Sequence, residues 1–380
     1  MQTVYFDYNA TTPLDPHVRE AMLPCLGGVW GNPSSVHHVG RQSRAVLDEA
    51  HERAARVLGC KPSEVVFTSG GTESANLAIL GAARRFKGKG RHIITSSVEH
   101  PAVLQCCEYL AQQEGFELTC LAVNPEGLVS PDSLSAAIRP DTVLVSVMAA
   151  NNEIGTIQPV AELGAICRQR GVVFHTDAVQ WFGKEPFEDV RQFNADLVSV
   201  CGHKIHGPKG AGALYIKSPL QPISLLLGGS HENERRAGTE NLASIVGLVD
   251  AMERFIRPPV FAREGLAHLT NRLLRLIDSL PGARFVGSRK QRLANTVSFV
   301  VPASDSITLL AGLDLEGICA SSGSACSAGS LEPSHVVRAL GLQPEAANAL
   351  VRFSLGRDST LAEVEHVERV LPDVIRRASS

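Results

Sequence analysis

EVVFTSGGTESANLAILGAARR, residues 64–85, decides the fold. Val65, Val66, Phe67 and Thr68 form a β-prone run, Gly70 and Gly71 break it, and the apolar residues that follow return at helical spacing. Strand, glycine turn and helix in that order are half of a βαβ unit. The same alternation recurs on both sides, with β-rich runs at 92–96, 143–148, 172–176, 197–201 and 211–216. Between them, 75–85, 102–114 and 160–170 have helical length and apolar spacing, and 35–58 reads as one longer helix upstream. This pattern predicts an α/β fold whose sheet is mainly parallel and carries helices on its faces. After 247–255, Pro258 and Pro259 break a helical run and a shorter mixed pattern begins. Its expected strands are 296–301, 317–320 and 350–354, and Thr360 with Glu363 forms a capping box that opens a last helix. A second, smaller domain is expected there.

The 380 residues suit two or three domains, and 44% hydrophobic against 20% charged residues places the chain far from the disordered regime. Lys+Arg 36 against Asp+Glu 39 leaves a charge of −3, which supplies no basic field for nucleic acid or anionic lipid. Apolar runs such as 142–150 fall short of the ~20 residues that a spanning helix needs. The first thirteen residues include Asp7 and lack both a basic start and an apolar core, so they do not read as a secretory signal, and a cytoplasmic location is expected. The nine cysteines show no CxxC spacing or paired Cys/His cluster, so neither a metal centre nor a disulfide framework is expected. Each is read as a small buried hydrophobe, except Cys326.

In open α/β sheets ligands sit beyond the carboxyl ends of the strands, so the residues following each strand matter most. Gly70-Gly71-Thr72-Glu73 offers backbone N–H groups, a hydroxyl and a helix dipole to an anion such as phosphate, although Gly-Gly there is often only a tight turn. Glu99-His100 places an imidazole on the same rim. Asn151-Asn152-Glu153 follows the next strand. Asp177, in HTDAVQ (175–180), ends another, where a buried carboxylate is costly unless something cationic meets it and where a helix N-cap is the plainer reading. Lys204 follows the strand after that. A lysine that condenses with an aldehyde, a carboxylate that keeps a pyridine nitrogen protonated, an imidazole that stacks and a phosphate cradle together are the parts needed to hold pyridoxal phosphate.

Residues 320–330, ASSGSACSAGS, contain ten Ala, Ser or Gly around Cys326. Low bulk with flanking glycines predicts a mobile loop presenting an accessible thiol, which ionises when a cation or imidazole comes near; a hinge with an incidental cysteine is the alternative. Arg352 interrupts the apolar run 350–354, where its guanidinium is suited to clamp a carboxylate or to form a surface ion pair.

Taken together, FDYNATTP (6–13), GNPSSVH (31–37), TSGGTESAN (68–76), EHPAVL (99–104), NNEIGT (151–156), HTDAVQ (175–180), GHKIHGPKGAG (202–212), RRAGTEN (235–241), SSGSACSAGSLEPSHV (321–336) and RFSLGR (352–357) resemble the class V, fold-type I pyridoxal-phosphate enzymes. Within them the chain looks like the cysteine desulfurases of the nitrogen-fixation and iron–sulfur-assembly type. The resemblance runs nearly end to end. It implies a large domain over 14–257 with a mainly parallel seven-stranded sheet, and a small α+β domain made of 1–13 with 258–380. By the same resemblance Lys204 matches the cofactor-tethering lysine, Asp177 the pyridinium partner, His100 the stacking acid/base and Gln180 the residue facing the phenolic oxygen. Asn152 matches a ring and substrate contact, Gly71, Thr72 and His203 phosphate ligands, and Arg352 the clamp on the substrate carboxylate. Thr239 matches a phosphate ligand contributed by the neighbouring subunit, which implies a homodimer. Cys326 matches the thiol that accepts sulfur and passes it to an iron–sulfur scaffold protein, and that ligates iron–sulfur transiently.

Three positions depart from the family pattern. Cys201 stands where a serine usually reaches the phosphate, Tyr8 replaces a frequent asparagine, and His231 replaces the glutamine of a QE motif before Arg235. The expected reaction converts L-cysteine to L-alanine with a persulfide left on Cys326. A selenocysteine lyase or cysteine-sulfinate enzyme would share the cofactor residues, an aminotransferase would leave the thiol loop without a role, and a catalytically silent scaffold or sulfur carrier is the non-enzymatic alternative.

Overall fold

A computed structural model describes residues 3–302, 304–323 and 333–378. Its twelve strands are β1 Val4–Tyr5, β2 Val65–Thr68, β3 His92–Ser96, β4 Glu117–Leu121, β5 Thr142–Ser146, β6 Val173–Asp177, β7 Leu197–Cys201, β8 Gly212–Ile216, β9 Arg284–Phe285, β10 Thr296–Val300, β11 Ile318–Cys319 and β12 Leu350–Ser354. Seven of them form one sheet in the order β2-β8-β7-β6-β5-β3-β4. Its ladders are parallel except where β8 meets β2 and β7. The reason lies in the connection: only residues 202–211 join β7 to β8, fewer than a parallel crossover needs, so β8 returns antiparallel.

Side chains alternate across this sheet as a two-residue period requires. Val65, Phe67, Val145, Phe174 and Val198 enter one core with helices His38–Leu58, Val160–Arg170 and Leu242–Phe255. Val66, Ile93, Leu144, Leu197 and Leu214 enter the other, under helices Gly71–Phe86 and Pro101–Glu114. Strand β4 escapes a reading of apolar runs because it is the sheet edge, where Glu117 and Cys120 face solvent and only Leu121 is buried.

A further core gathers Val297 and Phe299 of β10, Val351 and Phe353 of β12, and the apolar faces of helices Arg263–Ser279 and Leu361–Ala378. The capping box forms as expected, Thr360 N donating to Glu363 Oε2 at 2.7 Å and Glu363 N to Thr360 Oγ1 at 3.3 Å. Phe6 belongs to this same core, and β1 pairs in parallel with β11, so the amino-terminal residues pack with the carboxyl-terminal ones. From there the chain crosses to the large sheet, Thr12 N bonding to the His203 carbonyl at 2.9 Å. Residues 6–13 are therefore a strap between the two cores, and the strap runs over the connection that carries Lys204.

The expectation of uniformly buried cysteines fails. Cys106, Cys107, Cys167 and Cys201 are buried, but Cys25, Cys60 and Cys319 are half-buried and Cys120 is exposed. Helix and strand edges place Cys120 outward, where sequence alone offers no phase. No helix is long and apolar enough to cross a membrane among the described residues.

Candidate active site

The carboxyl ends of β2, β3, β5, β6 and β7 open onto one cavity of about 170 Å³. Gly71, Thr72, His100, Asn152, Asp177, Gln180, Cys201, His203, Lys204 and Arg352, which the sequence scatters over 281 positions from first to last (352 − 71), all line it. Thr239 does not: it lies in a separate hollow with Ser69, Arg236 and Ser244. Cys326 lies outside the described residues.

Each group is held in a definite state. Lys204 Nζ donates to the carbonyls of Asn9 and Ala10, both at 2.7 Å, so the strap holds the amine. Asp177 ends β6 with Oδ1 accepting from Val179 N at 2.9 Å. Burial pushes its pKa up to about 6, against the pull of that N–H and of Lys204. His100 caps helix Pro101–Glu114, its Nδ1 accepting from Ala102 N at 3.1 Å. Burial first, then Lys204 and His335, push the imidazole pKa down to about 4, so the ring is neutral at pH 7. With Nδ1 an acceptor, the proton of the neutral ring sits on Nε2. His203, whose Nδ1 lies 3.1 Å from Thr11 Oγ1, is likewise pushed down to about 4, chiefly by burial.

Arg352 projects from β12 and is 1% exposed. Its Nη2 pairs with Asp7 Oδ1 at 2.7 Å, and its Nη1 donates to the carbonyls of Asn152 and Gly323, both at 2.8 Å. Nε has no partner among the described residues. A buried guanidinium that lines the cavity is suited to receive a small carboxylate.

Residues that pattern reading passed over complete the walls. Asp7 and Asn9 lie in the strap, and only the tertiary fold brings them to Arg352 and Lys204. Glu99 is sealed, and burial pushes its pKa up to about 8, so the carboxyl is protonated at neutral pH. Its Oε1 accepts from Ser96 Oγ at 2.6 Å and Met148 N at 2.9 Å, locking the ends of β3 and β5 together beside His100. The Glu99 carbonyl also accepts from His335 Nε2 at 2.8 Å. The sequence signal was present in the pair Glu99-His100, but nothing in it distinguishes a buried carboxyl from a solvated one.

Of the three departures, only Cys201 faces the cavity. Backbone N–H groups of Gly71 and His203 point at its thiol, while burial raises its pKa. Tyr8 is a core residue, packed edge-on against Tyr5 and Phe261. His231 lies in a different hollow beside His51 and Glu232.

These residues fit pyridoxal phosphate on structural grounds. Helix Gly71–Phe86 opens behind Gly70 with no side-chain cap, leaving its first N–H groups to an anion. A Cβ at Gly71 would come 2.9 Å from Val179 Cγ2, so a larger residue would invade that cradle. Asp177, desolvated and short of a cation, is matched to a pyridinium N–H, and the amine of Lys204 shares its cavity.

The family model for aminotransferase class-V matches residues 4–367. A curated relative, cysteine desulfurase IscS of Dictyoglomus turgidum, is 46% identical over 375 residues, spanning 98% of this chain and 95% of its own. Among solved structures, a NifS-like protein superposes with a TM-score of 0.91 at 35% identity, covering 99% of this chain and 100% of its own. SspA in complex with cysteine superposes with a TM-score of 0.82 at 36% identity, covering 94% and 100%. A likeness that holds over nearly the whole chain places this protein in the aminotransferase class-V family, with the cysteine desulfurases as its relatives.

Proposed function

We propose that this protein is a pyridoxal-phosphate-dependent cysteine desulfurase that converts L-cysteine to L-alanine and carries the sulfur on Cys326. One observation supports this above the rest: the buried guanidinium that faces the cavity also bonds the chain next to the cysteine-bearing segment. Arg352 holds the Gly323 carbonyl, and on the far side Ser334 Oγ donates to Glu153 Oε2, one residue from the cavity-lining Asn152. Gly323 precedes Cys326 by three residues in the sequence, so the described chain on that side of the cysteine is anchored at the cavity wall. An aminotransferase has no use for a thiol there.

Pyridoxal phosphate, when bound, supplies an electron sink that makes the Cα proton of an amino acid acidic. Arg352, lining the cavity, receives the substrate carboxylate and so fixes which Cα bond faces Lys204. Lys204 takes the Cα proton at Nζ. His100, neutral and protonated at Nε2, hands over or receives the proton that the substrate thiol exchanges. Asp177 stays ionised once an N–H cation faces it, and so maintains the sink. Cys326, as thiolate, bonds to the substrate sulfur while the carbon–sulfur pair retreats onto carbon; protonation of that carbon gives the methyl group of alanine, and Lys204 Nζ returns a proton to Cα.

The decisive experiment is mass spectrometry of the intact protein after L-cysteine, in the absence of added thiol. One extra sulfur atom, mapped to Cys326, is the expected result. Alanine formation with no sulfur on any cysteine would remove the transfer step.

The Cys201 thiol, a weak hydrogen-bonding group, is expected to hold the phosphate less well than a hydroxyl. Cys201→Ser should tighten pyridoxal phosphate binding by about three- to tenfold, as one added neutral hydrogen bond would. Equilibrium titration of the apoprotein measures it, and an unchanged or weaker dissociation constant counts against the phosphate placement.

Thr239, set with Arg236 and Ser69 in a hollow away from its own cavity, suits a residue that serves a second subunit, and we read the protein as a homodimer. An iron–sulfur scaffold protein is the sulfur acceptor in this reading, in nitrogen fixation or general cluster assembly, with the enzyme in the cytoplasm.

A further inference from the structure

Beside the cavity lies a buried amine that the reaction above does not use. Lys184 is 1% exposed, and its Nζ bonds two amide oxygens, Oδ1 of Asn9 at 2.8 Å and Oε1 of Gln180. Its ring contact is Phe261, whose centroid is 5.8 Å away. Burial, with Lys204 and Arg352 nearby, holds its pKa well below the ordinary lysine value. Lysine is a costly choice for such a place, since methionine would fill a similar volume without desolvating an amine. The amine must do something that packing does not require.

We propose that Lys184 is a positioning residue which fixes the amide orientation of Gln180, turning the Gln180 N–H2 toward the ring oxygen of the cofactor. An amide side chain has two nearly isosteric ends, one donating and one accepting, and its environment chooses which way it faces. Lys184 makes that choice at Gln180, whose oxygen end its N–H selects; at Asn9 it shares Oδ1 with Asn295 Nδ2, which donates at 3.1 Å. Gln180 is then left with Nε2 on the cavity side, where it donates to the Asn9 carbonyl at 3.0 Å. That same carbonyl receives Lys204 Nζ. Asn9 is left with Nδ2 toward the carbonyl of Asn152 at 3.2 Å and Thr296 Oγ1 at 2.9 Å. The Asn152 carbonyl is the one that Arg352 Nη1 holds. The amine thus sets the polarity of Gln180, and joins Asn295 in holding Asn9, whose amide leads to the carbonyl at the substrate clamp. Lys184 touches neither cofactor nor substrate; it acts through Gln180.

The inference rests on the reading that Gln180 faces the cofactor, though not on desulfuration, and a double-mutant cycle tests both. Lys184→Met, Gln180→Leu and the double variant are prepared as full-length apoproteins and titrated with pyridoxal phosphate, following the visible absorption maximum and the dissociation constant. Gln180→Leu and Lys184→Met are each expected to weaken binding by about tenfold, with the maximum shifted in the same direction, and the double variant by no more than the weaker single one. Thermal unfolding of the apoproteins shows that all three fold. Effects that multiply in the double variant, or a Lys184→Met protein that binds like the wild type while Gln180→Leu does not, would overturn the role of Lys184 alone. Wild-type binding and absorption in Gln180→Leu would overturn the placement of Gln180, and with it the inference.

Discussion

Lys204→Ala is expected to abolish alanine formation from L-cysteine, lowering the rate by at least about four orders of magnitude. In the proposed mechanism the position combines two duties that no neighbour shares: it anchors the cofactor and moves the Cα proton. The side chain is also the point at which strap and sheet meet, through the carbonyls of Asn9 and Ala10. The Asn9 carbonyl keeps Gln180 Nε2 after the substitution, so the loss of stability should be modest, about 1–2 kcal/mol. A folded, inactive protein follows, and one that no longer retains label after borohydride reduction with pyridoxal phosphate. Adding a small primary amine should restore a fraction of the rate, because the missing group is an amine in a cavity large enough to admit one. A variant that keeps a hundredth or more of wild-type activity without added amine would show that another group takes the proton.

Cys326→Ala should be equally damaging to sulfur transfer and harmless to cofactor binding. In the proposed reading the cofactor is held by Gly71, Asp177 and Lys204, which line the cavity at the end of the large sheet, so its absorption is expected to match the wild type. Alanine formation is expected to fall by about three orders of magnitude, the worth of an activated nucleophile delivered to a bound substrate. Alanine and total sulfide, measured together, separate the alternatives. Normal alanine, with the sulfur released as sulfide by a thiol reductant such as excess L-cysteine, would mean that the carbon–sulfur bond breaks without the protein thiol, leaving a lyase. Comparing L-selenocysteine sharpens the result: a carbon–selenium bond is weaker, so its turnover should suffer less from loss of the thiol.

Much of this site was legible before any coordinates, and the reason is local. Loops that follow strands in an α/β sheet converge whatever the details of packing, so a strand count along the chain already brings Gly71, His100, Asp177 and Lys204 to one rim. Periodicity identified those strands because β2, β5, β6 and β7 are buried on both faces and read as short apolar runs. It failed for β4, whose burial is one-sided. Helix Gly71–Phe86 begins four residues before the apolar spacing does, because its first turn is polar and faces the cavity. The antiparallel return of β8 was implicit in the ten residues between it and β7, too few for a crossover.

Long-range polarity was not legible. A lysine four positions after Gln180 looks like any solvated charge, and an aspartate near the amino terminus looks like an argument against a signal peptide. Which of them is buried depends on a contact across 345 positions in one case, Asp7 with Arg352, and 175 in the other, Asn9 with Lys184. By itself, then, the amino-acid order determined the strand-and-turn rhythm, the rim that collects the reactive groups and the thiol in its small-residue segment, because each follows from neighbours in the chain. Only the tertiary structure decided that the amino-terminal strap closes the rim, that Glu99 is a neutral acid and that Lys184 is a buried amine. Those states are set by desolvation, and desolvation is a property of what lies across space.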